Sequence, residues 1–250
     1  MSKSLFDMIK ETSIKNPNNL ISAYKDNVAF IKGPLVEFFT TKNKDLSDFY
    51  YTKSIKSSIS LKAETHNFPT TVEPFSGAAT GSGGEIRDRM AGGQASFPLA
   101  GTAVYMTSYP RITKSRTWEK NQVNKKWLYQ NPKDILVKAS NGASDYGNKF
   151  GQPLISGSVL TFEHNENNNL IGYDKVIMLA GGIGYGKENE TQKKDVNTGD
   201  YVVVLGGDNY RIGMGGGAVS SLVLSSVLAG STAHQRREND GRRDADQDPG

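Results

Sequence analysis

Apolar positions come in short bursts along this chain, and their spacing changes from segment to segment. Between Ser2 and Lys15 they fall at positions 5, 6, 8, 9 and 14, which predicts a short amphipathic helix with Ser2 or Ser4 as its N-cap. Asn16-Pro17-Asn18-Asn19 ends it. LISAY, NVAFI and LVEFF then read as short extended runs. After the polar DLSDFYYTKSIKS comes ISLKA, whose alternation puts Ile59, Leu61 and Ala63 on one face of a strand. AGTAVYMT (100–107), PLISGSVLTF (153–162), DKVIMLAGG (174–182) and DYVVVLGG (200–207) read as further strands, with PKDILVKASNGASDYGNKF as a helix among them. Strands mixed with helices predict an α/β (α+β) fold.

Composition narrows the classes. The chain has 250 residues, 36% hydrophobic and 22% charged, enough to bury a core in one or two domains. Its longest apolar runs, VVVL and VIMLA, are far too short to span a bilayer, and the polar start MSKSLFDMIK has no signal-peptide core. A cytoplasmic location and no membrane partner are expected. Cysteine is absent, which excludes disulfides, zinc-thiolate sites and a thiol nucleophile on this chain. The net charge of +4 is spread over scattered lysines, so no nucleic-acid partner is expected. The polar stretch Lys187 to Asp200 predicts a boundary near 195, giving a first domain over 1–195 and the start of another over 196–230. Residues 231–250 contain no Leu, Ile, Val, Phe, Met, Tyr or Trp and are expected to be a disordered tail.

Chemistry concentrates in Glu64 to Asp88, ETHNFPTTVEPFSGAATGSGGEIRD. Gly77, Gly81, Gly83 and Gly84 sit there among Ala78, Ala79, Thr80 and Ser82. In a helix each glycine costs about 0.5–1 kcal/mol against alanine. Two readings offset that cost: backbone N–H groups approaching a phosphate, or a helix packed closely on a neighbour. Glu64 and Asp88 bracket the segment, and two carboxylates beside a phosphate site are what Mg²⁺ bridging nucleotide phosphates requires. Lys62 lies on the same strand face as Glu64 and could reach a phosphate, and Arg87 could fork onto an anionic substrate or form an ordinary ion pair. His66, two residues after Glu64 and next to Asn67, is the candidate for proton transfer, while His164 and His234 read as surface residues. The clusters GGIGYG (181–186) and LGGDNYRIGMGGGAVSS (205–221) read as turns between strands and helices, with a loose G-x-G-x-x match but no acid placed for a ribose.

Together with KVIMLAGGIG, VVVLGG…IGMGGGAVSS and the opening LFDMIKETSIKNPNNLISAYKDN, this segment resembles the synthetase region of the phosphoribosylformylglycinamidine synthase family in its long single-chain form. The resemblance covers roughly residues 1 to 220. It implies an aminoimidazole-ribonucleotide-synthetase-like N-terminal domain with a mixed sheet, followed by the truncated start of its companion domain. It implies ATP binding by Lys62 and by Gly77, Ala78, Ala79, Thr80, Gly81, Ser82, Gly83, Gly84, Glu85, Ile86, Arg87 and Asp88. Mg²⁺ would be held by Glu64 and Asp88, substrate contacted by Thr65, His66, Asn67, Phe68 and Arg87, and His66 would serve as general base. The implied chemistry is transfer of phosphate from ATP to the amide oxygen of formylglycinamide ribonucleotide, after which ammonia from glutamine displaces it. Implied partners are companion synthetase and glutaminase domains, the former pairing sheet to sheet in a barrel-like interface. The chain departs from the family in having Phe68 where a second histidine is usual, and in lacking the upstream E-H-C segment and the cysteine of the glutaminase domain. It is therefore expected to be a fragment, inactive alone. Alternatives are another ATP-dependent kinase or synthetase of the same superfamily, or a non-catalytic nucleotide-binding scaffold.

Overall fold

Helix α1 (Leu5–Lys15) begins where Ser4 Oγ accepts from the Asp7 backbone N–H at 3.1 Å, and it ends at Asn16, ahead of Pro17. A computed structural model of the chain describes residues 3–43, 46–113, 116–119, 130–173 and 175–206. The second glycine-rich cluster beyond 206 and the expected tail lie outside the described residues, and so does most of the expected second domain. Strands β1 (Leu20–Ser22), β2 (Ala29–Thr41) and β3 (Tyr50–Thr65) come next, then helices α2 (Asn67–Val72) and α3 (Pro74–Met90). They are followed by β4 (Phe97–Thr107), α4 (Pro132–Lys149), β5 (Leu154–Thr161), the hairpin β6 (Glu163–Glu166) and β7 (Asn169–Gly172), and β8 (Ile177–Lys187).

NVAFI and LVEFF turn out to be one strand. Gly33 and Pro34 break its ladder, with the register shifting between Lys32 and Leu35. Pro34 has no N–H to donate, and its carbonyl instead accepts from Ser57 Oγ at 2.6 Å on the neighbouring strand.

Six strands form one sheet in the order β1-β2-β3-β8-β4-β5. Its neighbours are antiparallel except β4 and β5, which run parallel with α4 as their crossover, so the sheet is mixed and the α/β class holds. The helix-side core joins Ala78 of α3, Ile135, Ala139 and Ala143 of α4, Ala103 and Tyr105 of β4, and Val176, Met178 and Ala180. Small residues at these positions let the helices lie close. A Cβ on Gly142 would stand 2.0 Å from the Phe75 carbonyl oxygen, and one on Gly83 would stand 2.6 Å from the Tyr146 ring.

Ile59, Leu61 and Ala63 do share a face, and it is the one turned away from α3. Their alternates Ser58 and Ser60 are buried, whereas Ile59 and Leu61 are half-buried. That face also carries Ile183, Leu99 and Tyr185, and a depression of about 500 Å³ opens there between Leu61, Ala63, Ile155 and Ile183.

Two local expectations fail. GGIGYG is no turn: it runs through the middle of β8, paired on both sides. The run expected as a strand over 200–207 forms none at 201–206, and Val202 and Leu205 stand 90% and 91% exposed. Its β-branched residues favour extension, but among the described residues no strand pairs with it, and a single unpaired strand is not stable in water. Among the described residues no helix is long and apolar enough to cross a membrane.

Candidate functional site

The site forms where β3 ends and the chain turns back into α2 and α3. The ladder sets Lys62 opposite Gly182 and Glu64 opposite Ala180 on β8. One residue past the strand, the His66 N–H donates to the Met178 carbonyl at 3.0 Å. Asn67 Oδ1 accepts from the Met178 N–H at 2.9 Å, and Thr71 Oγ1 accepts from the Val176 N–H at 3.0 Å. These bonds stitch α2 to β8, so the direction in which His66 leaves the sheet is fixed by backbone and not by packing alone. Proline at the first position of α3 then starts that helix directly after α2.

Across this corner Lys62 Nζ lies 2.8 Å from Asp88 Oδ2 and 3.2 Å from Glu64 Oε2. The three side chains are 16%, 28% and 34% exposed, so the cluster is partly screened from water but reachable. Burial works to lower the Lys62 pKa, yet hydrogen bonds to Asp88 and then Glu64 outweigh it and hold the ammonium above the ordinary 10.5. His66 behaves oppositely. Burial pushes its imidazole below the ordinary 6.5 against the pull of Glu64, and the nearby Arg87 charge adds to the lowering. A neutral imidazole near the Glu64 carboxylate is a proton acceptor near pH 7.

The glycines of α3 answer the question their cost raised. They lie inside the helix, where backbone N–H groups are already spent; Gly77 N, for example, donates to Glu73 O at 2.7 Å. A Cβ would come within 2.5 Å of Pro69 backbone at Gly77 and within 2.9 Å of His66 Cβ at Gly81. Close packing explains Gly77, Gly81 and Gly83. Gly84 is different: a Cβ there would meet Glu64 Cγ at an ordinary 3.5 Å, so it borders the carboxylate cluster.

Of the residues singled out from sequence, Lys62, Glu64 and Asp88 meet, with His66 and Arg87 alongside and Thr65 exposed at the strand end. Thr80 is exposed and Ala79 half-buried on α3. Ala78, Ser82 and Ile86 are buried beneath the helix, and Phe68 is buried at 9% exposure. Asn67 spends its carbonyl oxygen on β8. Glu85 belongs to a second, interior cluster. Its carboxylate accepts from Arg89 Nε at 2.7 Å and from the Gln152 side-chain amide, while Arg89 Nη2 donates to Gln152 Oε1, all fully buried. Sequence reasoning missed this network, although the Glu85 and Arg89 spacing of four on a helix and the alternate glycines of β8 signal it together. A Cβ on Gly182 would stand 2.7 Å from both Arg89 Nη2 and Glu85 Oε1, and one on Gly184 2.8 Å from Arg89 Nη1. Glycine on the helix face of β8 is what admits the ion pair. Among the described residues no three acidic or histidine side chains group as a metal cage.

Fold and site thus define a mixed α/β domain whose strand-to-helix corner holds an ammonium between two carboxylates beside a neutral histidine. In sequence the chain is similar to phosphoribosylformylglycinamidine synthase of Dictyostelium discoideum, 41% identical over 223 residues. That match takes in 88% of this chain and 16% of the relative, so the chain spans a minor part of that protein's length. No family model matches. Among solved structures, PurLQS of Thermotoga maritima has a TM-score of 0.46 at 12% identity, over 71% of this chain and 23% of that one. PurL of T. maritima complexed with ATP, and the same protein complexed with FGAR, each have a TM-score of 0.31 at 29% identity, over 51% of this chain and 16% of that one. With scores below 0.5, the fold rests on the sheet order given above.

Proposed function

We propose that this chain carries the nucleotide and substrate corner of an ATP-dependent carbon–nitrogen ligase acting on formylglycinamide ribonucleotide, in purine biosynthesis, as part of a longer glutamine amidotransferase. The observation that carries the reading is the Lys62–Glu64–Asp88 cluster beside neutral His66, in a chain 41% identical to phosphoribosylformylglycinamidine synthase. Two carboxylates without a third ligand suit Mg²⁺, which takes one or two carboxylates and completes its shell with phosphate oxygens and water. Glu64 and Asp88 would hold it, and when bound it would neutralise charge on the phosphate oxygens. Lys62 then turns to the phosphates, and Arg87 and Thr65 stand at the exposed rim for the anionic substrate. A ring nitrogen of His66 accepts the proton that the substrate amide nitrogen gives up as its oxygen takes the phosphoryl group. Gly84 and the exposed side of α3 border the nucleotide, and the buried glycines place that helix. The partly open sheet face is the surface for a companion synthetase domain, with residues 1–195 as one unit. A cytoplasmic location accords with the purine reading.

The test is calorimetric titration of Mg-ATP into the 250-residue chain, with and without formylglycinamide ribonucleotide. Binding is expected to require the metal and to be lost in Glu64→Gln and Asp88→Asn at unchanged circular dichroism. In the whole enzyme each substitution is expected to abolish Mg-dependent ATP use. Binding and turnover indifferent to both substitutions would refute the assignment.

A further inference from the structure

Lys62 reaches both carboxylates at once, at 2.8 and 3.2 Å, from a side chain only 16% exposed. A cation that took Glu64 and Asp88 together would therefore enter the place the ammonium already fills. Two consequences follow from charge alone. The three groups sum to a single negative charge, and a divalent ion approaching them meets a positive one within about 4 Å. Repulsion between charges of +2 and +1 at that distance costs roughly tenfold or more in affinity even at the dielectric of bulk water, and more in a partly buried corner. The lysine has no free acid to swing to nearby: the carboxylate of Glu85 lies over Gly182, the residue opposite Lys62 on β8, but it is already bonded to Arg89 and Gln152.

We infer that Lys62 is a built-in counter-ion that holds the carboxylate pair shut to free divalent metal and yields it only when a polyphosphate offers the ammonium a new anionic partner. This rests on the nucleotide reading above and deepens it: metal and nucleotide enter together, and the site ignores free Mg²⁺. The lysine thereby acts as a specificity-determining residue for the metal–polyphosphate complex over the bare ion.

The test uses Mn²⁺ as the probe and electron paramagnetic resonance to count free ion, on the 250-residue chain without nucleotide. Lys62→Met and Lys62→Gln are expected to bind Mn²⁺ at least tenfold more tightly than the unmodified chain, and Lys62→Arg, which keeps the charge, to match it. Neutral variants that bind Mn²⁺ no better would overturn the inference. Loss of folding by both would overturn it too, because a lysine that leaves its carboxylates on ligand binding cannot be what holds the fold. If the neutral variants tighten but the unmodified chain ignores Mn-ATP, the lysine lock stands and the nucleotide reading falls.

Discussion

Replacing Arg89 by methionine tests the interior network most directly. Arg89 and Glu85 are 0% and 1% exposed, and the substitution removes the Nε donor that sits 2.7 Å from the Glu85 carboxylate. Glu85 would keep only the Gln152 amide, and Gln152 Oε1 would lose its donor. Stripping one partner from a buried ion pair leaves an uncompensated charge and costs about 3–5 kcal/mol. Against the roughly 5–15 kcal/mol that holds a domain together, that is about a fifth of the stability or more. The double variant Glu85→Leu with Arg89→Met behaves differently. It removes both charges and leaves mainly the Gln152 amide unpaired, at about 1–3 kcal/mol, and Arg89 Nη1, already without a partner among the described residues, disappears with it. The double variant is therefore expected to be more stable than Arg89→Met alone. Urea unfolding at pH 7, followed by far-ultraviolet circular dichroism, measures both. A single substitution costing under about 1 kcal/mol, or a double less stable than the single, would refute the reasoning, since mere loss of packing volume makes the double the worse of the two.

His66 supplies a pH signature: its folded pKa lies below 6.5, so the unfolded chain takes up the proton first. Its contribution is fully present above 6.5 and declines as pH falls from there toward the folded value; His66→Gln is expected to flatten that part of the stability profile, and an unchanged slope would count against it. In the whole enzyme His66→Ala is expected to lower turnover about 10²–10⁴-fold with a smaller effect on substrate binding, which steady-state kinetics resolves. Gly142→Ala is expected to destabilise by about 1–3 kcal/mol, because its methyl would meet the Phe75 carbonyl at 2.0 Å, whereas Gly84→Ala, with ordinary contact at 3.5 Å, is expected to stabilise by up to about 1 kcal/mol. Equal shifts in thermal midpoint for the two would contradict the close-packing account of α3 and α4.

Periodicity made much of the fold legible. The Ser4 cap, α1, α4, the strands β4 and β5, the second half of β3 and the first half of β8 follow from spacing or from turn residues that the chain reads locally. The misreadings have a common cause in partners distant along the chain. GGIGYG looks like a turn because what crowds its glycines, Arg89 and Glu85 over Gly182 and the Phe97 carbonyl at Gly184, lies on other elements. VVVL looks like a strand because β-branched runs favour extension, while pairing depends on a neighbour. Pro34 hides the join of two short runs into β2, because the Ser57 hydroxyl on the next strand donates to the Pro34 carbonyl where the ladder is broken. The site divides in the same way. Lys62 and Glu64 share a face by simple alternation, and Asp88 joins them because α3 returns over β3. Glu85 stands three residues before Asp88 and reads as part of the same motif, yet the helix turns its carboxylate inward to Arg89.

Gly182 and Gly184 also bear on descent. Neither can gain a side chain while Arg89 and Glu85 keep their places, and a side chain there would force the ion pair to shift. The four positions thus form one inherited unit in which the effect of a change at any site depends on the other three. A lineage that replaced Gly182 by alanine would first have to lose the guanidinium, passing through the costly unpaired carboxylate unless Glu85 changed before it. The permitted order of substitutions is therefore narrow: acid and base must leave nearly together, and only then is Gly182 free to drift, while Gly184 stays held by the Phe97 carbonyl on β4.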